Sequence, residues 1–375
     1  MEQYFSAPGR VELGGNHTDH QHGCVLAAAV DLEMRAAVTP NHDGVIRVFS
    51  QGFAPVEVAL GDWTPRPEER NTTAALVRGM AAQFIRRGAA LTGLDMRVTS
   101  QVPVGSGLSS SAAFEVLLGR VFSGLCCGGS VSPEDIARMG QTAERDYFGK
   151  PCGLMDQTAC ALGKLVFIDF NDPSSPVIEG IDFDFSKEGY SIIITDVHAD
   201  HADLTAEYAA ITEEMKSVAA YFGKDVLRDV NEKLFYESFP QLREHVSDRA
   251  LMRAMHFFEE NKRVLQAVEA VKNDNLPAFL EAVNASGESS WKLLQNTHAT
   301  GSTAQAMTLG LALSRRILGE KGACRVHGGG FGGTILAFVP EALKETYTEK
   351  MERVFGKGAC VELSVRPTGS TFVEL

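Results

Sequence analysis

The sequence predicts an α+β protein of two domains, and three observations predict it. Short β-type runs and Gly-rich turns fill the first 195 or so residues. Long stretches with apolar residues spaced by three and four fill Asp203–Leu318. A strand, Gly-rich turn and strand then return over Ala323–Val339. Such segregation differs from strictly alternating βαβ units. The change of character sets a boundary near residues 185–200, giving domains of residues 1–190 and 191–375. At roughly 150 residues per domain, 375 residues suffice for two or three domains and a sizeable buried core. No internal repeat is visible, which excludes solenoids and propellers.

The elements follow in order. Asp95–Thr99, Leu165–Asp169 and Ser191–Asp196 are candidate strands, the last rich in isoleucine and bounded by polar residues. Ala112 onward is helix-forming. Ser132, with Pro133 next and Asp135 three residues on, reads as an N-cap with proline at the first helical position. It predicts a helix to about Phe148. A helix from Glu341 to about Val354 and two short β runs, Cys360–Arg366 and Thr371–Val373, complete the pattern.

Composition narrows the function class. Lys and Arg number 35 against 48 Asp and Glu, a net charge of −13, which disfavours nucleic acid and anionic membranes as partners. The longest apolar run, Cys24–Val30, is far short of the roughly 20 residues that span a bilayer. The first residues, MEQYFSAPGR, lack the apolar core of a signal peptide. Seven cysteines, two of them adjacent at Cys126 and Cys127 and none in a CxxC pair, suit a reducing compartment. A soluble cytoplasmic enzyme is the expectation, and the three NxS/T triplets at Asn16, Asn71 and Asn284 are chance matches.

Four stretches carry chemistry. Residues 6–23, SAPGRVELGGNHTDHQHG, gather Arg10, Asn16, His17, Asp19, His20 and His22 around four glycines, and read as a tight turn with mixed polar side chains. A sugar needs such donors and acceptors together. Read from the residues alone, a metal site on His17, Asp19, His20 and His22, or a surface turn, stays open, though the spacing fits no common zinc pattern. Residues 102–119, VPVGSGLSSSAAFEVLLG, place a Gly-Ser loop between a strand and a helix. There backbone amides and the helix dipole form an anion cradle, and Ser109, Ser110 and Ser111 are suited to Mg²⁺ or phosphate oxygens; a plain Ser-rich N-cap is the alternative. No Lys follows the glycines, so this is not a Walker A loop, and GxGxxG fails. In CGLMDQTACALG, residues 152–163, Asp156 sits among apolar neighbours where it can act as a base. In VHGGGFGGTILAFV, residues 326–339, five glycines flank Phe331, as in a turn that approaches something closely.

Together and in this order, these stretches resemble the galactokinases of the GHMP small-molecule kinase superfamily. That family carries a GRVNLIGEHTDY-like stretch, a PxGxGLSSSA phosphate loop, a CGxMDQ segment and a late GGGFGG loop. Here the counterparts are Gly9 to Asp19, Pro103 to Ala112, Cys152 to Gln157 and Gly328 to Gly333. The resemblance covers essentially the whole length. It implies a two-domain GHMP kinase fold, with an N-terminal α+β domain, a C-terminal ferredoxin-like α/β domain and the active site between them. It implies ATP-dependent phosphorylation of galactose at its anomeric hydroxyl, with Asp156 as base and Arg10 as its partner. Pro103, Gly105, Ser106, Gly107, Leu108, Ser109, Ser110 and Ser111 would cradle the phosphates, and Ser111 and Glu144 would hold Mg²⁺. His17, Asp19, Gly153 and Tyr208 correspond to positions that contact the sugar ring. The superfamily holds both monomers and homodimers.

Departures from the pattern bear on specificity. Asn16 stands where the family usually has a Glu that contacts the sugar's C6 hydroxyl, so the resemblance implies Asn16 as a substrate contact, and His20 stands where the family has Tyr. An amide in place of a carboxylate removes repulsion toward a C6 carboxylate, and plant galacturonate kinases resemble this chain in reading HxDHQ. Galacturonate is therefore an alternative substrate, and a non-catalytic sugar and ATP sensor a further one, disfavoured because base and phosphate-loop serines are present. Thr73 and Leu76 stand where galactokinases commonly stack Trp and Tyr on adenine. The stretch Asn296–Gln305 lacks the family's CPELD-like sequence.

Overall fold

In this computed structural model, which describes residues 2–103, 107–198 and 204–374, the chain opens with two long strands, β1 (Gln3–Gly14) and β2 (Cys24–Pro40). The strands β3 (Val45–Ser50), β4 (Val56–Ala59), β5 (Leu94–Ser100), β6 (Leu165–Asp169), β7 (Val177–Ile181) and β8 (Tyr190–Asp196) follow, then β9 (Ala323–Val326), β10 (Thr334–Pro340), β11 (Cys360–Leu363) and β12 (Thr371–Val373). One sheet runs β12-β1-β2-β5-β3-β4, with β6 pairing β2 and β7. The other runs β11-β8-β10-β9. The predicted runs at Leu165–Asp169 and Thr371–Val373 are strands at those bounds.

The chain divides into two compact units. One holds Met1–Arg10, Ala28–Val166 and Arg366–Leu375; the other holds Val11–Ala27 and Phe167–Val365. In the first unit, β12 pairs antiparallel with β1 through Tyr4↔Val373, Phe5↔Phe372 and Ser6↔Thr371. Its sheet is antiparallel between β2 and β5 and parallel between β3 and β5. Four helices belong to it: α1 (Thr73–Arg86), α2 (Ser110–Cys126), α3 (Pro133–Thr142) and α4 (Met155–Leu162). Ser132 caps α3 by accepting from the Asp135 amide, as its sequence predicts. The predicted helix reaches Phe148, but its last six residues, Ala143–Phe148, widen into a π-helical turn.

The second unit contains α5 (Thr205–Tyr221), α6 (Glu232–Glu237), α7 (Phe239–Leu242), α8 (Asp248–Lys272), α9 (Leu276–Ser289), α10 (Ala306–Leu318) and α11 (Lys344–Phe355). Apolar side chains of α5 and α8, among them Ile211, Met215, Phe257 and Phe258, pack with Leu294 and Phe331 into one core cluster. A second cluster joins β8, β9 and β10 to α10 and α11 through Ile193, Val326, Ile335, Leu311 and Met351. No helix among the described residues is long and apolar enough to cross a membrane.

Candidate functional site

In the first unit, the Gly-Ser stretch leads into α2 through Ser109, which adopts a left-handed backbone (φ 58°, ψ 58°). A serine at a helix N-cap ordinarily accepts from the amide of the first turn. Ser109 does not. Its hydroxyl instead donates to Asp156 Oδ2, across to the first turn of α4. Arg10, on β1, meets the same carboxylate with a fork: Nε donates to Oδ1 at 2.8 Å and Nη2 to Oδ2 at 2.9 Å. The third guanidinium nitrogen, Nη1, donates to Gly107 O. The Arg10 amide donates to Leu108 O at 3.2 Å. A Cβ on Gly9 would lie 3.1 Å from that same oxygen, so β1 runs closely beside the loop. Burial pushes the Asp156 carboxyl up, but the Arg10 guanidinium and the Ser109 hydroxyl outweigh it and hold it below the usual carboxylate range.

A second carboxylate lies on the π-helical turn. Glu144 is buried, and its Oε1 accepts from Ser111 Oγ at 3.0 Å and from Lys150 Nζ at 2.9 Å. The chain returns there because the amides of Gly149 (φ 91°) and Lys150 both donate to Glu144 O. Gln157 Nε2 donates to Glu144 Oε2 and to Glu115 Oε2, each at 2.9 Å. Burial and the neighbouring Glu144 push the Glu115 carboxyl well above its ordinary range. Gly153 lies in the loop before α4, where Arg145 Nε anchors Cys152 O at 2.8 Å. Pro103, Gly107 and Leu108 lie in the loop before α2 and Ser110 opens that helix; Gly105 and Ser106 lie outside the described residues.

In the second unit, the turn after β1 is held from below. Gly15 N donates to Glu260 Oε1 at 2.9 Å, and Thr18 Oγ1 donates to Gly15 O and Cys24 O. Gly15 (φ 93°) has no room for a side chain beside Cys24 and Val25. His17 Nε2 donates to Gly329 O at 2.8 Å, and its ring stacks on Tyr208 at 6.3 Å between centroids. Tyr208 donates to Gly330 O at 3.0 Å. Asp19 opens a single 3-10 turn, Asp19–Gln21, and His20 packs against His17 at 5.6 Å. Burial lowers His17 to about 4 and His20 to about 3, so both rings are neutral at physiological pH. Asn16 is fully buried, and its amide donates to Glu12 Oε1 at 3.0 Å and Gly328 O at 2.6 Å. Among the described residues no group of three or more His, Cys, Asp or Glu side chains converges as a metal site.

Several participants escape sequence reading. Lys150 has no motif of its own, and Gln157 and Glu115 lie inside motif stretches without being singled out; only their hydrogen bonds to Glu144 and to each other give them a place. Glu12 forms a buried ion pair with Arg325 at 2.7 Å, an association 313 residues apart that no local pattern signals. Thr73 and Leu76 lie in the first turn of α1, where Leu76 is buried.

The GHMP kinases N terminal domain matches residues 75–164, and the galactokinase galactose-binding signature matches residues 2–40. The galactokinase of Glaesserella parasuis serovar 5 is 32% identical over 368 residues, spanning 95% of this chain and 91% of its own length. That of Streptomyces coelicolor is 33% identical over 359 residues, spanning 94% and 89%. Among solved structures, Lactococcus lactis galactokinase complexed with galactose is similar with a TM-score of 0.84 at 22% identity, over 99% of this chain and 95% of that one. A mevalonate kinase is similar at a TM-score of 0.67 and 16% identity, so the architecture is the two-domain GHMP kinase fold. Similarity at this level along nearly all of the sequence makes the chain a member of the galactokinase family of GHMP kinases.

Proposed function

We propose that the protein transfers the γ-phosphoryl group of ATP to the anomeric hydroxyl of galactose, yielding galactose 1-phosphate and ADP. The observation that carries this reading is the half-buried fork between Arg10 and Asp156, joined by Ser109 at the start of α2. The bond from the sugar's O1 to the γ-phosphorus forms as the bond to the β-phosphate oxygen breaks, and Asp156 takes the hydroxyl proton. A carboxylate held this acidic is a weak base. That is enough, because a loose phosphoryl-transfer transition state needs the proton only as the new bond closes. Arg10 keeps Asp156 ionised and opposes the charge on the transferring group.

The first amides of α2 have no intrahelical partner, so with Pro103–Ser111 they suit the phosphates. Mg²⁺ neutralises β- and γ-phosphate oxygens when bound. Ser111 and Glu144 would hold it: a hydroxyl and a carboxylate 3.0 Å apart are oxygen donors suited to this hard cation. His17, Asp19, Gly153 and Tyr208 contact the sugar ring, and Asn16, which precedes His17, holds the neighbouring Gly328 carbonyl.

A sugar panel in an ADP-release assay, with galactose, galacturonate, N-acetylgalactosamine and arabinose side by side, tests this. Galactose should give the highest kcat/KM, in keeping with neutral His17 and His20 facing an uncharged sugar. No turnover of galactose above background overturns the reading, and preference for galacturonate replaces it with a uronate kinase.

A further inference from the structure

The loop between β9 and β10 contains Gly328, Gly329 and Gly330, whose three successive carbonyl oxygens are all taken by side chains. Gly328 O accepts from Asn16 Nδ2 at 2.6 Å. Gly329 O accepts from His17 Nε2 at 2.8 Å and from Asn296 Nδ2 at 3.0 Å. Gly330 O accepts from the Tyr208 hydroxyl at 3.0 Å. The backbone matches from the other side, since the Phe331 amide donates to Asn296 O. Gly330 (φ 86°) leaves no room for a Cβ against Asn296, and a Cβ on Gly329 would lie 2.5 Å from Tyr208 Cε1.

Asn296 is the hub of this arrangement. It is fully buried, directly after Gln295, whose left-handed backbone ends a π-helical turn over Ser290–Leu294. Its amide nitrogen donates both to Gly329 O and to Asn16 Oδ1, the latter at 2.7 Å. Carbonyl oxygens only accept, so every group facing the loop has to present a hydrogen, which fixes which way each amide points. The chain of donors ends on Glu12, whose charge Arg325 balances. Two consequences reach the sugar side. His17 carries its hydrogen on Nε2, which leaves Nδ1 as an acceptor, and Tyr208 spends its hydrogen on Gly330.

We propose that Asn296 is a positioning residue for the sugar subsite, holding the Gly328–Phe331 loop so that His17 and Tyr208 face the substrate as acceptors. The subsite then selects ligands that bring hydroxyl hydrogens and disfavours a carboxylate, which has none to give. This inference rests on the galactose kinase reading for the identity of the ligand. The orientation of His17 does not depend on it.

Asn296→Asp removes both donors and sets a carboxylate against Gly329 O and Asn16 Oδ1, and Asn296→Ala removes the donors without adding charge. For both variants KM for galactose should rise about tenfold or more, with KM for ATP unchanged. In ¹⁵N-histidine-labelled protein without substrate, the His17 ring should lose its Nε2–H pattern in Asn296→Ala. Should Asn296→Asp fail to fold, Asn296→Ala and its nitrogen spectrum decide. An unchanged His17 spectrum, or a KM for ATP that rises as far as that for galactose, overturns the positioning role. Wild-type protein that fails to phosphorylate galactose overturns the functional reading instead, and the His17 spectrum still judges Asn296.

Discussion

Arg10 reaches Asp156 with two parallel N–H donors from a buried strand position, a geometry that an ammonium group cannot reproduce. Asp156→Ala should therefore lower kcat by about 10²–10⁴-fold, the usual contribution of a positioned base. Arg10→Lys should lower kcat less. It should also shift the acid limb of the kcat profile to higher pH, because losing the fork lets the Asp156 carboxyl rise toward its ordinary range. Steady-state kinetics across pH check both, and an acid limb that stays in place would refute the electrostatic role of Arg10. Both residues were legible because each lies in a motif. Asn296 was not: its partners are a backbone carbonyl 33 residues away and an amide 280 residues away, and neither leaves a mark in the surrounding sequence.

Among elements, the helices of the second unit and the strand, turn and strand at Ala323–Val339 were readable from periodicity and glycine. The opening was not. Residues 6–14 read as part of a polar turn, yet they continue β1, whose side chains from Phe5 to Gly14 are all buried. A strand covered on both faces shows no alternation to detect. In the first unit, α4 ends at Gly163 (φ 82°), after which Lys164 N donates to Arg366 O and Arg366 N to Ala29 O. Gly369 N donates to Leu162 O, and a Cβ on Gly369 would overlap Ala161 O and the backbone beside it. Gly369→Ala should thus destabilise the protein by about 1–3 kcal/mol through overpacking, read as a lower urea midpoint at unchanged slope. A midpoint equal to that of the wild type would mean that this junction yields.

For the whole molecule, buried histidines contribute to the loss of stability in mild acid. His17, His20 and His256 have pKa values lowered by burial to about 4, 3 and 4, against 6.5 in the unfolded chain. Their contribution is complete above pH 6.5 and is lost as pH falls from there toward 4. Glu115 has the opposite sign, since its folded form keeps a proton that the unfolded carboxyl releases above 4.5. Between 6.5 and 4.5 unfolding takes up protons on the three histidines, which release from Glu115 offsets only in part, so stability should fall as the pH is lowered. Urea titrations at neutral pH and near pH 5 measure this, and equal midpoints would contradict it. The interleaving of the two units has another consequence, for biosynthesis. A ribosome releases the chain in order, and domains ordinarily fold as they emerge, the N-terminal one first. Here the first unit lacks Arg366–Leu375 until roughly 200 residues after Val166 has been added, a delay of about 10–40 s at about 5–20 residues per second. The second unit is itself incomplete until Val365. The first unit therefore closes only after the second is complete, and the nascent chain carries β1 with its outer edge unpaired until β12 emerges.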